Sequence, residues 1–445
     1  MTLDEAIARS PMRAFHWVTL AICMLVLVAD GIDLQLLGLV APLIIAEWGV
    51  DRGSFGWAMS AALVGMAVGA WAGGYLGDRL GRRNALAGAA LLFGLATIAA
   101  SQTNTITTMT VLRMLGGLGF GAAFPNSLAL ASEWLPERWR AYAITTLSVG
   151  TPAGGSVAAA LAPDLLDAHG WRGTFIVFGL ATLLLVPLIL ALLRDSPTFL
   201  AARGETERAD RFARKVLGTR VEAVPSQQES REAHRAVSVG VFDAGNRRLN
   251  WGVGIGFAAS TLVAYAIISW GTTFLTSAGL TLDQALAASF LVGITSIAGA
   301  IGAGFLVGRF GSKLVMLSVS IGVFALVFAL GVLLENFPAP ASVPLRLSVQ
   351  IIVSLVSGVV SVGIATIYVM MTLGYPQGCR SAGIGFGMLV GRVGAIFASF
   401  IGGYLLDLGA GSLVPFFAVL LCGAALIAST AFIVDRHVSP ALSVR

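Results

Sequence analysis

Four ionisable residues, Asp30, Asp33, Arg113 and Arg392, stand inside long apolar stretches of the chain. An ionisable side chain in such a setting is costly and is by default a candidate for function. Asp30 and Asp33 are three apart, so on a helix they are neighbours on one face, and Gly31 between them lets a second helix or a ligand approach the backbone. Two close carboxylates in a low-dielectric medium oppose each other's ionisation, whereas a nearby arginine favours it. An acid whose proton affinity changes as an arginine approaches or departs can couple a proton to a conformational cycle. Arginine itself stays charged and offers a planar fork suited to a carboxylate. These residues predict that Arg392 holds a carboxylate ligand with Arg113 assisting, while Asp30 and Asp33 carry or gate a proton with Arg113 as counter-ion. The alternative is an Asp30/Asp33–Arg113 pair that only fastens two helices.

The elements that hold these charges follow from composition. The 445 residues are 57% hydrophobic and 11% charged, with a mean hydropathy of +0.86. A soluble domain is about a quarter charged, so a soluble multidomain protein, a coiled coil, a disordered chain and a disulfide scaffold are all excluded. The 54 glycines suit closely packed membrane helices. Runs of about 20 apolar residues fall at 17–46, 54–77, 84–102, 106–133, 140–163 and 172–193, and again at 249–278, 284–307, 314–334, 343–373, 381–407 and 412–434. The first run is too long for the core of a signal peptide. At about 1.5 Å per residue, Asp30 and Arg392 lie about 20 and 17 Å from one face, and Arg113 about 10 Å from the other, so the charges share one layer.

Of the 28 Lys and Arg, only Arg52, Arg172 and Arg346 fall in the loops of one side. The excess on the other side places both termini in the cytoplasm and accounts for the net charge of +5 without a nucleic-acid partner. The three cysteines and four histidines show no metal or redox spacing, so no metal or cofactor is expected.

The chain also repeats. Gly77-Asp78-Arg79-Leu80-Gly81-Arg82-Arg83 after the second span is echoed by Val307-Gly308-Arg309-Phe310-Gly311-Ser312-Lys313 after the eighth. Leu135-Pro136 with Arg140-Ala141 is echoed by Tyr375-Pro376 with Arg380-Ser381. Parallel six-helix repeats place a substrate site near the midplane between the halves. Three segments follow: a six-helix bundle at 1–193, a cytoplasmic loop with amphipathic helices at 194–248, and a second bundle at 249–445.

Gly77 to Arg83, the Arg113-xxx-Gly117-x-Gly119-x-Gly121 pattern and Asp195-Ser196-Pro197-Thr198-Phe199-Leu200 resemble signatures of the major facilitator superfamily. Asp30-Gly31-Ile32-Asp33, Phe124-Pro125-Asn126 with Glu133, Pro136, Arg138 and Arg140, and Gly391-Arg392-Val393-Gly394-Ala395 resemble its aromatic acid:proton symporter family. Gly308 stands where several members carry Asp. The resemblance implies an all-α integral membrane protein of twelve transmembrane helices in two pseudo-symmetric six-helix bundles. It further implies an inner-membrane importer of a small aromatic carboxylate, driven by the proton gradient without other cofactors and working as a monomer.

Weaker candidates surround these. Asn126 after Pro125 could line the cavity or belong to a kink, and Tyr265, Trp270, Phe274, Tyr368 and Phe386 could stack a ring or merely pack. Asp78, Arg79, Arg82, Arg83, Glu133, Arg138, Arg140 and Arg380 could form a cytoplasmic gate, or for the arginines simply set topology. No P-loop, nucleophile triad or dinucleotide fingerprint occurs, so neither an ATP-driven pump nor an enzyme is expected. A non-aromatic organic acid transporter, a proton/drug antiporter and a non-transporting acid sensor are the rival readings.

Overall fold

In the computed structural model, residues 10–195, 200, 240–337, 342–376 and 379–440 are described, and these form helices and connecting turns. In order they are α1 (Ala14–Trp48), α2 (Arg52–Leu80), α3 (Arg82–Ala100), α4 (Ile106–Trp134), α5 (Glu137–Ser148) and α6 (Gly150–Leu192). After the 3₁₀ turn Ala244–Asn246 come α7 (Arg247–Ser277), α8 (Leu282–Phe310), α9 (Ser312–Glu335), α10 (Val343–Gly374), α11 (Arg380–Leu408), α12 (Val414–Ile427) and α13 (Ser429–Ile433). The amphipathic helices expected in 194–248 fall almost entirely outside the described residues.

Eleven of these helical stretches are long and apolar enough to cross a membrane, and one of them, Glu137–Leu192, has 56 residues. At 1.5 Å per residue that is about 84 Å, more than twice a hydrocarbon core of about 30 Å. The stretch breaks at Gly170, whose φ of 64° and ψ of −178° are not helical. It therefore crosses twice, and the described residues make twelve crossings. The two separate runs expected at 140–163 and 172–193 are joined because only one residue leaves the helical region.

Apolar surroundings force the backbone to satisfy itself, which is why helices carry every crossing. Their ends are set locally. The Asp51 carboxylate accepts from Ser54 N at the start of α2, and that bond holds it below the usual carboxylate range. Thr281 and Gln284 form a reciprocal cap on α8. Gly81 (φ 94°) and Gly311 (φ 78°) make the one-residue turns α2–α3 and α8–α9, a conformation that side chains with a Cβ rarely adopt.

These turns, with those at Pro136 and Tyr375, mark one end of the molecule, here the near end; the turns at Gly49, Gln102, Gly279 and Gly411 mark the far end. Helices α1–α6 pack as one bundle and α7–α13 as another. Within the first, small residues bring α2 and α4 together: a Cβ on Gly69 would strike the Leu118 carbonyl, and one on Gly121 the Met66 carbonyl.

The bundles meet through α2–α11, α1–α7 and α6–α8. At the far end, Asp407 Oδ2 accepts from Gly53 N at 2.8 Å, its Oδ1 lies 4.0 Å from Arg52 Nε, and Trp57 meets Phe400 edge-on at 4.6 Å. Deeper in, Thr272 donates to the Gly38 carbonyl. No hydrogen bond or ion pair between two described residues joins the bundles at the near end. Among the described residues, contacts between the bundles close the far end.

Candidate functional site

Asp33 projects from α1 toward α3 and α4. Its Oδ2 accepts from Arg113 Nη1 at 2.6 Å, its Oδ1 from Thr97 Oγ1 at 2.5 Å, and its backbone carbonyl from Arg113 Nη2 at 3.0 Å. Both side chains of this ion pair are 4% exposed. Three positions along a helix also turn the side chain by about 60°, and Asp30 accordingly faces a different neighbour. Its Oδ2 accepts from Thr151 Oγ1 of α6 at 3.2 Å, and its Oδ1 is buried without a partner. Gly31 permits that approach, since a Cβ there would collide with the Thr151 carbonyl.

Arg392 comes from α11 in the other bundle. It is half-buried, and its Nη1 is directed at the Met66 thioether of α2. Among the described residues no carboxylate lies within ion-pair distance of it. Its charge reaches Asp30 and the hydroxyls of Tyr265 and Tyr368. The site thus contains one arginine already matched to an acid and one that is not. A thioether is a weak acceptor, so a carboxylate displaces it at little cost, whereas Arg113 would have to surrender Asp33.

The predicted residues divide accordingly. Asp30, Asp33, Arg113, Arg392 and Tyr265 converge on the layer that the helical rise places between the bundles. Asn126 does not join them: α4 runs on through Pro125, and Asn126 Nδ2 donates to the Gly73 and Ala122 carbonyls, both at 2.8 Å, within the α2–α4 joint. Trp270 and Phe274 are buried packing residues, the first donating to the Ser399 carbonyl and the second set against Phe416 and Phe417. Phe386 meets Phe242 edge-on, and Tyr368 meets Phe257 in the same way.

Of the near-end charges, Arg82 Nε lies 3.4 Å from Glu133 Oε1, while Arg83 N donates to Asp195 Oδ1 at 3.0 Å. Arg79 sits 4.4 Å over the Tyr75 ring, and Arg138 is exposed. The side chains of Asp78, Arg140 and Arg380 lie outside the described residues. The contacts named here stay within the first bundle.

Thr97, Thr151 and Met66 escape a reading from sequence. A mid-helix threonine usually bonds the carbonyl four residues back, as Thr174 does with Gly170, so its presence signals nothing. Thr97 does this too, to Phe93, while also touching Asp33.

Residues 23–367 match the family model described as Major Facilitator Superfamily. The chain is 32% identical over 438 residues to the gallate transporter of Pseudomonas putida, covering 98% of this chain and 95% of that one. It is 30% identical over 420 residues to the 4-hydroxybenzoate transporter PcaK of the same organism, covering 92% and 90%, and 28% identical over 424 residues to the benzoate transport protein of Acinetobacter baylyi, covering 92% and 87%. An inward-open structure of the xylose transporter XylE from E. coli shares the fold, with a TM-score of 0.72 at 18% identity over 95% of this chain and 97% of that one. With its twelve crossings, its repeated bundles and these relatives, the chain is a multi-pass membrane transporter that belongs to the major facilitator superfamily and to its aromatic acid transporter family.

Proposed function

We propose that the protein is a proton symporter that imports a small aromatic carboxylate of the benzoate or hydroxybenzoate type across the inner membrane by alternating access. The observation that carries this reading is Arg392: a half-buried guanidinium at membrane depth, resting on a thioether, with no carboxylate of the described residues in ion-pair distance. It binds the substrate carboxylate. The Tyr265 and Tyr368 hydroxyls lie within electrostatic reach of it, and relatives whose names specify gallate, 4-hydroxybenzoate and benzoate support an aromatic acid.

Asp30 is the proton carrier. It is 3% exposed, one of its oxygens has no partner, and it feels Arg392, so ligand binding at Arg392 changes what holds its charge. Asp33 pairs with Arg113 and fixes α1 against α3 and α4. The charge asymmetry of the loops assigns the near end to the cytoplasm, so the closed far end faces outward, as an inward-facing state requires. Asp78, Arg79, Arg82, Arg83, Glu133, Arg138, Arg140 and Arg380 form the latch that closes the cytoplasmic end in the opposite state. The proton gradient is the sole energy source, and each monomer is complete.

The test is uptake of labelled 4-hydroxybenzoate and benzoate into proteoliposomes under an imposed inward proton gradient. Accumulation that collapses with a protonophore and with Arg392→Ala is expected. Wild-type accumulation that ignores the gradient, or transport by Arg392→Ala equal to the wild type, overturns the reading.

A further inference from the structure

Arg392 is mounted on a helix joint that the chain builds twice. In the second bundle α7 packs on α11, and in the first α1 packs on α6. A Cβ on Gly394 of α11 would strike the Ala258 carbonyl of α7, and a Cβ on Gly154 of α6 would strike the Val28 carbonyl of α1. Val28 stands to Ala258 in the sequence as Gly77 stands to Val307, and Gly154 stands to Gly394 as Pro136 stands to Pro376. The two joints therefore occupy equivalent places in the repeat, and in each the backbones touch where one partner lacks a side chain.

A second equivalent pair is filled differently. Gly31 meets the Thr151 carbonyl with no side chain between them. At the matching places, Thr261 donates through its hydroxyl to the Gly391 carbonyl at 2.6 Å. The carbonyls of Phe257 and Ala258, in the same helix as Thr261, are farther from that hydroxyl, at 2.9 and 3.1 Å. Thr261 is buried, and the carbonyl it holds belongs to the peptide that leads into Arg392. One position on, about 100° around the helix, Arg392 leaves the joint and crosses to Met66 of α2. About two turns farther along α11, Ser399 Oγ lies 2.7 Å from Ser269 Oγ and the Ser399 carbonyl accepts from Trp270 Nε1 at 3.0 Å, so the same two helices are fastened again. In the first bundle the joint carries Asp30, and there the Thr151 hydroxyl bonds the acidic side chain itself. In the second bundle the hydroxyl is spent on backbone, so the mount takes none of the guanidinium donors.

We infer that Thr261 is the positioning residue of Arg392: by holding the Gly391 carbonyl it sets the depth and direction from which the guanidinium meets a carboxylate. A ligand then binds without first ordering the backbone beneath the arginine, and affinity is gained by that preorganisation. The inference rests on Arg392 holding the substrate carboxylate as proposed above.

Thr295 supplies the control. Its hydroxyl makes the same kind of tie, to the Ser354 carbonyl at 2.6 Å, but between α8 and α10, neither of which carries Arg392. Dissociation constants of 4-hydroxybenzoate and benzoate, together with Tm, are to be measured on the purified full-length protein. Thr261→Val puts a methyl where the hydroxyl was and Thr261→Ala leaves a gap, so the two share a missing bond and differ in their steric error. Both are expected to weaken binding of both acids about five- to tenfold, the effect of one lost hydrogen bond. Thr261→Ser, which keeps the donor, is expected to stay within about twofold of the wild type. Thr295→Val is expected to lower Tm and leave both constants unchanged. Unchanged affinity in the two hydroxyl-free variants overturns the inference, and so does a Thr261→Ser protein as weak as they are or an equal loss of affinity in Thr295→Val. Wild-type protein that binds neither acid, or Arg392→Ala that binds them as the wild type does, defeats the underlying carboxylate site, and the positioning role falls with it.

Discussion

Two acid–arginine sets lie at one depth in this molecule and are built differently. Asp33 and Arg113 come from one bundle, are each 4% exposed, and share one ion pair, one further bond from Arg113 to the Asp33 carbonyl and the Thr97 hydroxyl. Asp30 and Arg392 come from opposite bundles and are not in contact. Asp30 has a single hydroxyl partner and Arg392 a thioether. A charge pair enclosed within one bundle has its charges already matched. Charges held apart across the interface between the bundles have free valence and, in the alternating access proposed above, a reason to change. The near-identity of residue type hides this contrast, and only the partners disclose it.

The contrast can be broken by substitution. Arg392→Ala should reduce uptake by about a hundredfold or more while protein stays in the membrane, because a desolvated charge partner of the ligand is removed; Arg392→Lys should not restore it, since the planar fork is lost. Measured uptake near wild type in either variant would erase the distinction. For Asp30→Asn the expectation is that substrate exchange between equal pools persists while accumulation against a gradient falls to parity, which counterflow and net uptake assays on one preparation would separate.

Arg113→Ala acts on the other set and should appear first as instability. It strands Asp33 without its cation at a cost of about 3–5 kcal/mol, read as a lowered Tm in detergent. Replacing both partners, Arg113→Met with Asp33→Leu, should recover much of that Tm. If the single variant melts like the wild type, the Asp33–Arg113 set is no fastening. The smallest effect is expected from the threonines. Thr97→Val should cost about 1 kcal/mol, and Thr151→Val less, because its contact to Asp30 is longer at 3.2 Å against 2.5 Å.

Much of this arrangement is legible in the sequence. Charges are scarce in an apolar chain, and the rise per residue gives each a depth, so the convergence of Asp30, Asp33, Arg113 and Arg392 can be expected from four positions and a helix pitch. Azimuth is harder. Asp30 and Asp33 share a face by spacing, yet the turn between them sends one to α6 and the other to α3 and α4, and no periodicity states where the neighbouring helices stand. Asn126 illustrates a second blindness. Pro125 signals a broken backbone bond in the sequence, but the glycine-lined joint with α2 absorbs the amide, and close helix approach depends on both partners at once. Ser269 and Ser399 are illegible for a related reason: mid-helix hydroxyls normally bond their own backbone, and only the crossing of α7 and α11 turns these two toward each other.

In the symport cycle proposed above, the unmatched charge of Arg392 has an electrical consequence. With Asp33 and Arg113 cancelling, the net charge of the interface depends on Arg392, Asp30 and the cargo. Empty, with Asp30 ionised, it is neutral; loaded with a singly charged acid and a proton on Asp30, it is neutral again. Cargo without the proton, or the proton without cargo, leaves one uncompensated charge in a closing apolar cavity, which is the costly situation in a bilayer. Slippage is then opposed by electrostatics and needs no mechanical interlock. One proton should accompany each singly charged acid. The turnover should also be indifferent to membrane voltage, which otherwise acts with about 2.3 kcal/mol per charge for each 100 mV.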